Sequence, residues 1–129
     1  MLELDYARRG ERREVDVMCE VVARNWDEPL RYRATDMSPH GLWIQTSFPL
    51  DIGDSMVLTF QAPRAPEPMQ LFARVVRTVR VHEKNGRREC GMGLELVGLS
   101  GAERRALRRG LKGLPSARRR LSRIPLLDI

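Results

Sequence analysis

Cysteine and histidine are scarce in this chain, with only Cys19, Cys90, His40 and His82 among 129 residues. Neither cysteine belongs to a short-spaced pair of the kind that opens a zinc site, and two imidazoles among scattered carboxylates are a poor donor set for a metal centre. No metal ligand is assigned. Nucleophilic catalysis needs a base within hydrogen-bond reach of a serine or cysteine, and with so few imidazoles no catalytic residue is assigned either. The two thiols are expected to be buried and reduced. No run approaches the ~20 apolar residues that span a bilayer. The opening Met1-Leu2-Glu3-Leu4-Asp5 lacks the basic start and apolar stretch of a secretory signal, which leads to the expectation of a cytoplasmic protein.

Charge and β-branched residues are plentiful. Lys and Arg number 23 against 17 Asp and Glu, for a net charge of +6. From Gly101 onward there are nine basic and two acidic residues, so the first hundred residues are close to neutral and the basicity belongs to a C-terminal extension. The high pI therefore does not by itself make the body of the chain a nucleic-acid reader. The length suits one domain of about 100–150 residues.

The body alternates with period two, the pattern of half-buried strands. Val15, Val17, Cys19, Val21 and Ala23 share one face of a first strand, and Leu30, Tyr32 and Ala34 share one face of a second that is expected to stop at Asp36. Further strands are predicted over 42–46, 55–61, 69–81 and 88–97. Pro63, Pro66 and Pro68 place a loop before the fifth, since proline cannot donate to a ladder. Asn85-Gly86 marks a hairpin between the fifth and sixth. Six short strands without intervening helices predict an all-β fold, a six-stranded antiparallel β-barrel with closed or nearly closed edges. One C-terminal helix follows: Ser100 and Glu103 have the spacing of a capping box, and Gly110 and Gly113 are expected to end the helix near Lys112. The chain divides into an N-terminal arm (1–14), a barrel plus helix (15–112) and a basic tail (113–129) whose structure the pattern leaves open.

Two clusters stand out against this scaffold. Arg8, Arg9, Gly10, Glu11, Arg12 and Arg13 precede the first strand, and Asp36, Met37, Ser38, Pro39, His40 and Gly41 lie between the second and third. Together they resemble the signature of the PilZ domain, a receptor for the bacterial second messenger cyclic di-GMP: an Arg-x-x-x-Arg arm followed by Asp or Asn-x-Ser-x-x-Gly. Asp36, Ser38 and Gly41 match the second motif. The first is met in two registers, Arg9 with Arg13 or Arg8 with Arg12, and nearness to the strand start at Val15 favours Arg9 with Arg13. The family's six-stranded barrel with a C-terminal helix agrees with the strand order, and the resemblance covers about Arg8 to Leu111. Gly91-Met92-Gly93-Leu94 is similar to the family's approach to its last strand.

The resemblance implies a ligand site at Arg8, Arg9, Arg12, Arg13, Asp36, Ser38 and Gly41, with cyclic di-GMP as ligand and no further cofactor. Chemically, a guanidinium can grip a phosphate or pair with guanine O6 and N7, and a carboxylate suits the donor edge at guanine N1 and N2. The Ser38 hydroxyl can bond a phosphate or its own turn, and Gly41 allows either positive φ or a close backbone approach. His40 reads as a loop residue. Trp43 alternates away from Leu42 and Ile44, where an exposed aromatic could stack on a guanine or cover the barrel mouth. The arginine-rich arm is expected to order when ligand binds, changing the surface shown to a partner.

Three functional classes follow. The first is a single-domain cyclic di-GMP receptor or adaptor in second-messenger signalling, of the kind that regulates motility or biofilm formation through an unidentified protein partner. The second is a PilZ-like protein-interaction module, related to motility or pilus machinery, with weak or no nucleotide binding. The third, a barrel binding nucleic acid through its basic tail, is disfavoured because that segment lacks interleaved aromatics. Ligand stoichiometry and oligomeric state stay open at this point.

Overall fold

The structure is a computed structural model and describes residues 12–84 and 87–117. Six strands, β1 (Arg13–Ala23), β2 (Leu30–Ser38), β3 (Gly41–Gln45), β4 (Ser55–Phe60), β5 (Met69–Lys84) and β6 (Arg87–Val97), precede one helix, α1 (Gly101–Leu111). Every pairing is antiparallel, and the strands close into a barrel in the order β1-β2-β3-β6-β5-β4. The expected hairpin residues Asn85 and Gly86 lie outside the described residues; the strands on either side pair as far as Lys84 with Arg87.

The inward faces are the ones the alternation marks. Val17, Cys19 and Val21 of β1 meet Leu42 and Ile44 of β3, Leu58 of β4, Val75 of β5, and Met92 and Leu94 of β6 in one apolar core. Cys19 is fully buried, and burial pushes its thiol pKa up to about 12, so it behaves as a small apolar group. Cys90 is half-buried, and the two thiols are not joined.

Strand limits shift by one to three residues from the sequence expectation, β5 running on to Lys84, and two of the shifts bear on the site. β1 begins at Arg13, two residues before the apolar alternation, because its backbone pairs with Met37 of β2 whatever the side chain. β2 continues through Asp36 to Ser38, so the motif does not lie wholly between strands but spans the end of β2, the turn and the start of β3.

Helix α1 joins the barrel core through Leu107 and Leu111, which are buried in it. Its capping box is formed as expected: the Glu103 amide donates to Ser100 Oγ over 3.1 Å, and the Ser100 amide donates to Glu103 Oε1 over 2.9 Å. The helix ends near Lys112 as expected, with Lys112 as its C-cap and Gly113 next at a φ of 87°, but Gly110 does not itself end it. Gly110 lies buried within the last turn, where a Cβ would strike the Pro63 carbonyl, so it permits the helix to close on the proline loop. The Ser100→Ala variant is expected to lose about 1 kcal/mol of stability and to melt a few degrees lower. A thermal midpoint equal to that of the parent would show that the cap contributes nothing.

Among the described residues no helix is long and apolar enough to cross a membrane, and no group of three or more His, Cys, Asp or Glu is placed to hold a metal ion.

Candidate functional site

The β2–β3 hairpin is built around a change of phase. Ala34 faces the core, and simple alternation would send Asp36 inward after it. Instead the ladder shifts register at Thr35, between Ala34 and Asp36 against β3 and opposite Glu14–Val17 of β1. The extra residue puts Met37 into the core opposite Leu42 and leaves Asp36 on the outer face opposite Trp43. A carboxylate is thereby kept out of the apolar interior, where its charge would be costly.

Ser38 closes the turn. Its hydroxyl accepts from the amides of His40 at 3.1 Å and Gly41 at 3.2 Å, and donates weakly to the Gly41 carbonyl at 3.5 Å. Neither Pro39 nor His40 has positive φ, so the two-residue turn is held by this side chain instead of by the left-handed residues of common tight hairpins. Gly41 does not have positive φ either. Its role is close approach: a Cβ there would run into the Leu94 carbonyl oxygen of β6.

From α1, Arg104 reaches over the same turn and donates to the Pro39 carbonyl at 2.9 Å, with His40 Nδ1 2.7 Å away. A guanidinium only donates, so the imidazole accepts at Nδ1. The His40 side chain thus belongs to a structural latch between helix and hairpin, while its carbonyl accepts from the Leu96 amide of β6 over 2.9 Å.

Arg12 comes to this hairpin from the arm. Its Nη1 donates to Asp36 Oδ1 over 2.9 Å, and the carboxylate is almost wholly buried while the guanidinium keeps about a fifth of its exposure. Arg13 points elsewhere, donating to the Leu114 carbonyl over 2.7 Å. The structure therefore gathers Arg12, Asp36, Ser38 and Gly41, with Arg13 adjacent. Arg8 and Arg9 lie outside the described residues. The arginine that sequence reasoning favoured for its nearness to the strand, Arg13, is already inside the strand, and alternation turns it away from Asp36. The preceding residue makes the contact.

Trp43 is the residue whose surroundings sequence reasoning misjudged. It faces outward as expected but is only 4% exposed. Its six-membered ring lies over Gly91 and Gly93 of β6, where a Cβ on Gly91 would meet ring carbon Cζ2 at 2.7 Å, and Arg77 of β5 covers it with the guanidinium carbon 5.3 Å from the ring centroid. Two glycines beside a cross-strand tryptophan were the available signal, since their missing side chains leave room for a ring on that face. Arg77→Ala is expected to cost about 0.5–1 kcal/mol and to raise the exposure of Trp43. Red-shifted tryptophan emission and stronger acrylamide quenching should report this, with half-buried Trp26 as the fixed background; unchanged quenching would show that Arg77 does not shield the ring. The Arg104 latch left no mark in the sequence, because it joins residues 64 or more positions apart.

The family model for the PilZ domain matches residues 7–113. Among solved structures, the fold is similar to the PilZ domain with c-di-GMP of YcgR from Escherichia coli, with a TM-score of 0.67 and 18% identity over 83% of this chain and 90% of that one. It is also similar to the Bacillus subtilis inhibitor of motility MotI/DgrA, with a TM-score of 0.60, 16% identity and 79% of this chain covered; the match spans about half (48%) of the Bacillus chain. A third likeness is to the PilZ domain of CeSA from a cellulose-synthesizing bacterium, with a TM-score of 0.54 and 17% identity over 78% and 93% of the two chains. No curated protein matches the sequence.

Proposed function

The chain belongs to the PilZ domain family, and from that premise we propose that it is a receptor for cyclic di-GMP that acts as an adaptor, changing its surface on ligand binding to regulate a protein partner. One observation carries the reading: an arginine of the N-terminal arm, Arg12, is brought to Asp36 at the end of β2, next to the Ser38–Gly41 turn. The E. coli domain of similar fold is described with c-di-GMP. No catalytic step enters this reading.

The chemistry fits the ligand. A guanidinium steadied by a buried carboxylate is held at a set position and presents planar donors to a phosphate or to guanine O6 and N7. Asp36 can accept from a guanine N1 or N2 donor as the nucleotide takes over part of the Arg12–Asp36 bonding. Ser38 and Gly41 shape the rim: the hydroxyl holds the turn, and the missing Cβ lets β3 and β6 close under it. Since Arg12 is the arginine at the carboxylate among the described residues, we assign the arm register Arg8 with Arg12, and give Arg13 a positioning role through Leu114. In this scheme the nucleotide's engagement of Arg12 and Asp36 alters the surface around the β2–β3 hairpin, and that alteration is the change a partner would sense. The similar Bacillus protein is described as an inhibitor of motility, which makes motility machinery the first place to seek the partner.

Isothermal calorimetry of the purified protein with cyclic di-GMP tests the reading. Saturable binding lost in Asp36→Ala is expected. No heat of binding with the nucleotide would favour the protein-interaction reading, and binding only to DNA or RNA, lost at moderate salt, would favour the basic tail as the functional element.

A further inference from the structure

The segment after α1 turns back along the beginning of β1. The Glu14 amide donates to the Pro115 carbonyl over 2.8 Å, the Ala117 amide donates to the Arg12 carbonyl over 2.9 Å, and Arg13 and Ser116 form an antiparallel bridge between these bonds. The Arg13 side chain adds its bond to the Leu114 carbonyl. The backbone from Arg12 to Glu14 is thus gripped by residues 114–117 on one edge, while Arg13 and Glu14 pair with Met37 and Asp36 of β2 on the other. The residue whose carbonyl the outermost of these bonds holds is the one whose guanidinium reaches Asp36.

We propose that residues 114–117 are a clasp that positions the arginine arm for the nucleotide, so that ligand capture and closure of the C-terminal segment form one linked equilibrium. The inference rests on the receptor reading above. Its physical content is preorganisation: with the clasp closed, the Arg12 backbone is fixed before ligand arrives, and less conformational freedom is lost on binding. With the clasp open, the arm is tethered only through β2. Linkage makes the effect reciprocal, so the nucleotide tightens the clasp by the same factor by which the clasp tightens the nucleotide. The sequence runs from Ala117 directly into Arg118, Arg119 and Arg120. The clasp therefore ends at the residue from which a basic run continues in the sequence, and links ligand binding to that point of the chain.

Ala117→Pro in the full chain removes the N–H that holds Arg12, whereas Ala117→Val keeps it. In calorimetry with cyclic di-GMP, the proline variant is expected to bind about 3- to 10-fold more weakly, the loss associated with one backbone hydrogen bond, and the valine variant to bind as the parent does. In the unmodified protein, amide exchange at Glu14 and Ala117 is expected to slow on saturation with nucleotide. Equal affinity of the parent and proline variants, with Glu14 exchange accelerated in the latter, would overturn the clasp while leaving the receptor reading intact. So would Ala117 exchange in the parent that ignores the ligand, a measurement that does not depend on whether the proline variant folds. Failure of the parent to take up nucleotide at all would remove the receptor reading and this inference together.

Discussion

Arg12→Ala is expected to weaken cyclic di-GMP binding by about 100-fold, the loss of one or two charge-assisted hydrogen bonds of about 1.5–3 kcal/mol each, while Arg13→Ala weakens it less than about tenfold. The difference comes from direction. Arg12 ends on Asp36 Oδ1 at the hairpin, whereas Arg13 ends on a main-chain carbonyl of the segment after α1. Arg12→Ala also deprives a nearly buried carboxylate of this cation, for a stability loss of about 1–3 kcal/mol, below the 3–5 kcal/mol typical of fully buried pairs because the guanidinium is partly solvated. Calorimetry and thermal melting on the same samples separate the two effects. Loss of binding in Arg13→Ala with Arg12→Ala unaffected would reverse the register and move the ligand to the Leu114 side of the arm.

Gly41→Ala should lower stability by about 3 kcal/mol and the thermal midpoint by roughly 10 °C. The added methyl group meets the Leu94 carbonyl of the neighbouring strand, and backbone cannot turn aside as a side chain can. β3 pairs with β2 on one edge and β6 on the other, so any retreat from Leu94 lengthens ladder bonds to Leu94–Glu95 or disturbs the Ser38 hydroxyl, which accepts from the Gly41 amide. Gly101→Ala is the matched control: at the first helical position its Cβ would meet only the flexible Arg105 side chain, and alanine there is expected to be neutral or slightly stabilising. If the two variants melt together, the β3–β6 contact has slack that the structure does not show, and Gly41 is not required for packing.

The two substitutions act on different properties of one hairpin. Arg12→Ala removes a group that would touch ligand, whereas Gly41→Ala strains the frame that holds Asp36 and Ser38. A variant of the second kind should lose nucleotide affinity only in proportion to how far the turn moves. Measuring both affinity and melting for each therefore separates recognition from support.

Much of this molecule was legible in the residue order. The apolar alternation in Val17, Cys19 and Val21 marks the inward face of β1, the prolines from Pro63 to Pro68 mark the loop before β5, and Ser100 with Glu103 marks the start of α1. Asp36, Ser38 and Gly41 fall together because they lie within six residues on one hairpin, so their proximity follows from local chain geometry. Each of these features depends on residues a few positions apart, where strand period, ring constraint and capping chemistry act directly.

Other features needed the closed barrel. Side chains in a strand alternate, so a one-residue shift of register exchanges inside for outside. Nothing near Thr35 shows that the ladder slips there, because the slip is set by partners in β1 and β3; yet it sends Met37 inward and keeps Asp36 on the outer face. The same rule decides between adjacent arginines: Arg12 and Arg13 are alike in composition, and only the pairing of β1 with β2 and with residues 114–117 gives one of them to Asp36. The covering of Trp43 by Arg77 and the latching of the β2–β3 turn by Arg104 join residues 34 to 65 positions apart. Short-range pattern determined which faces are apolar and which chemistry is present; the register of non-local backbone pairing determined which charged groups meet.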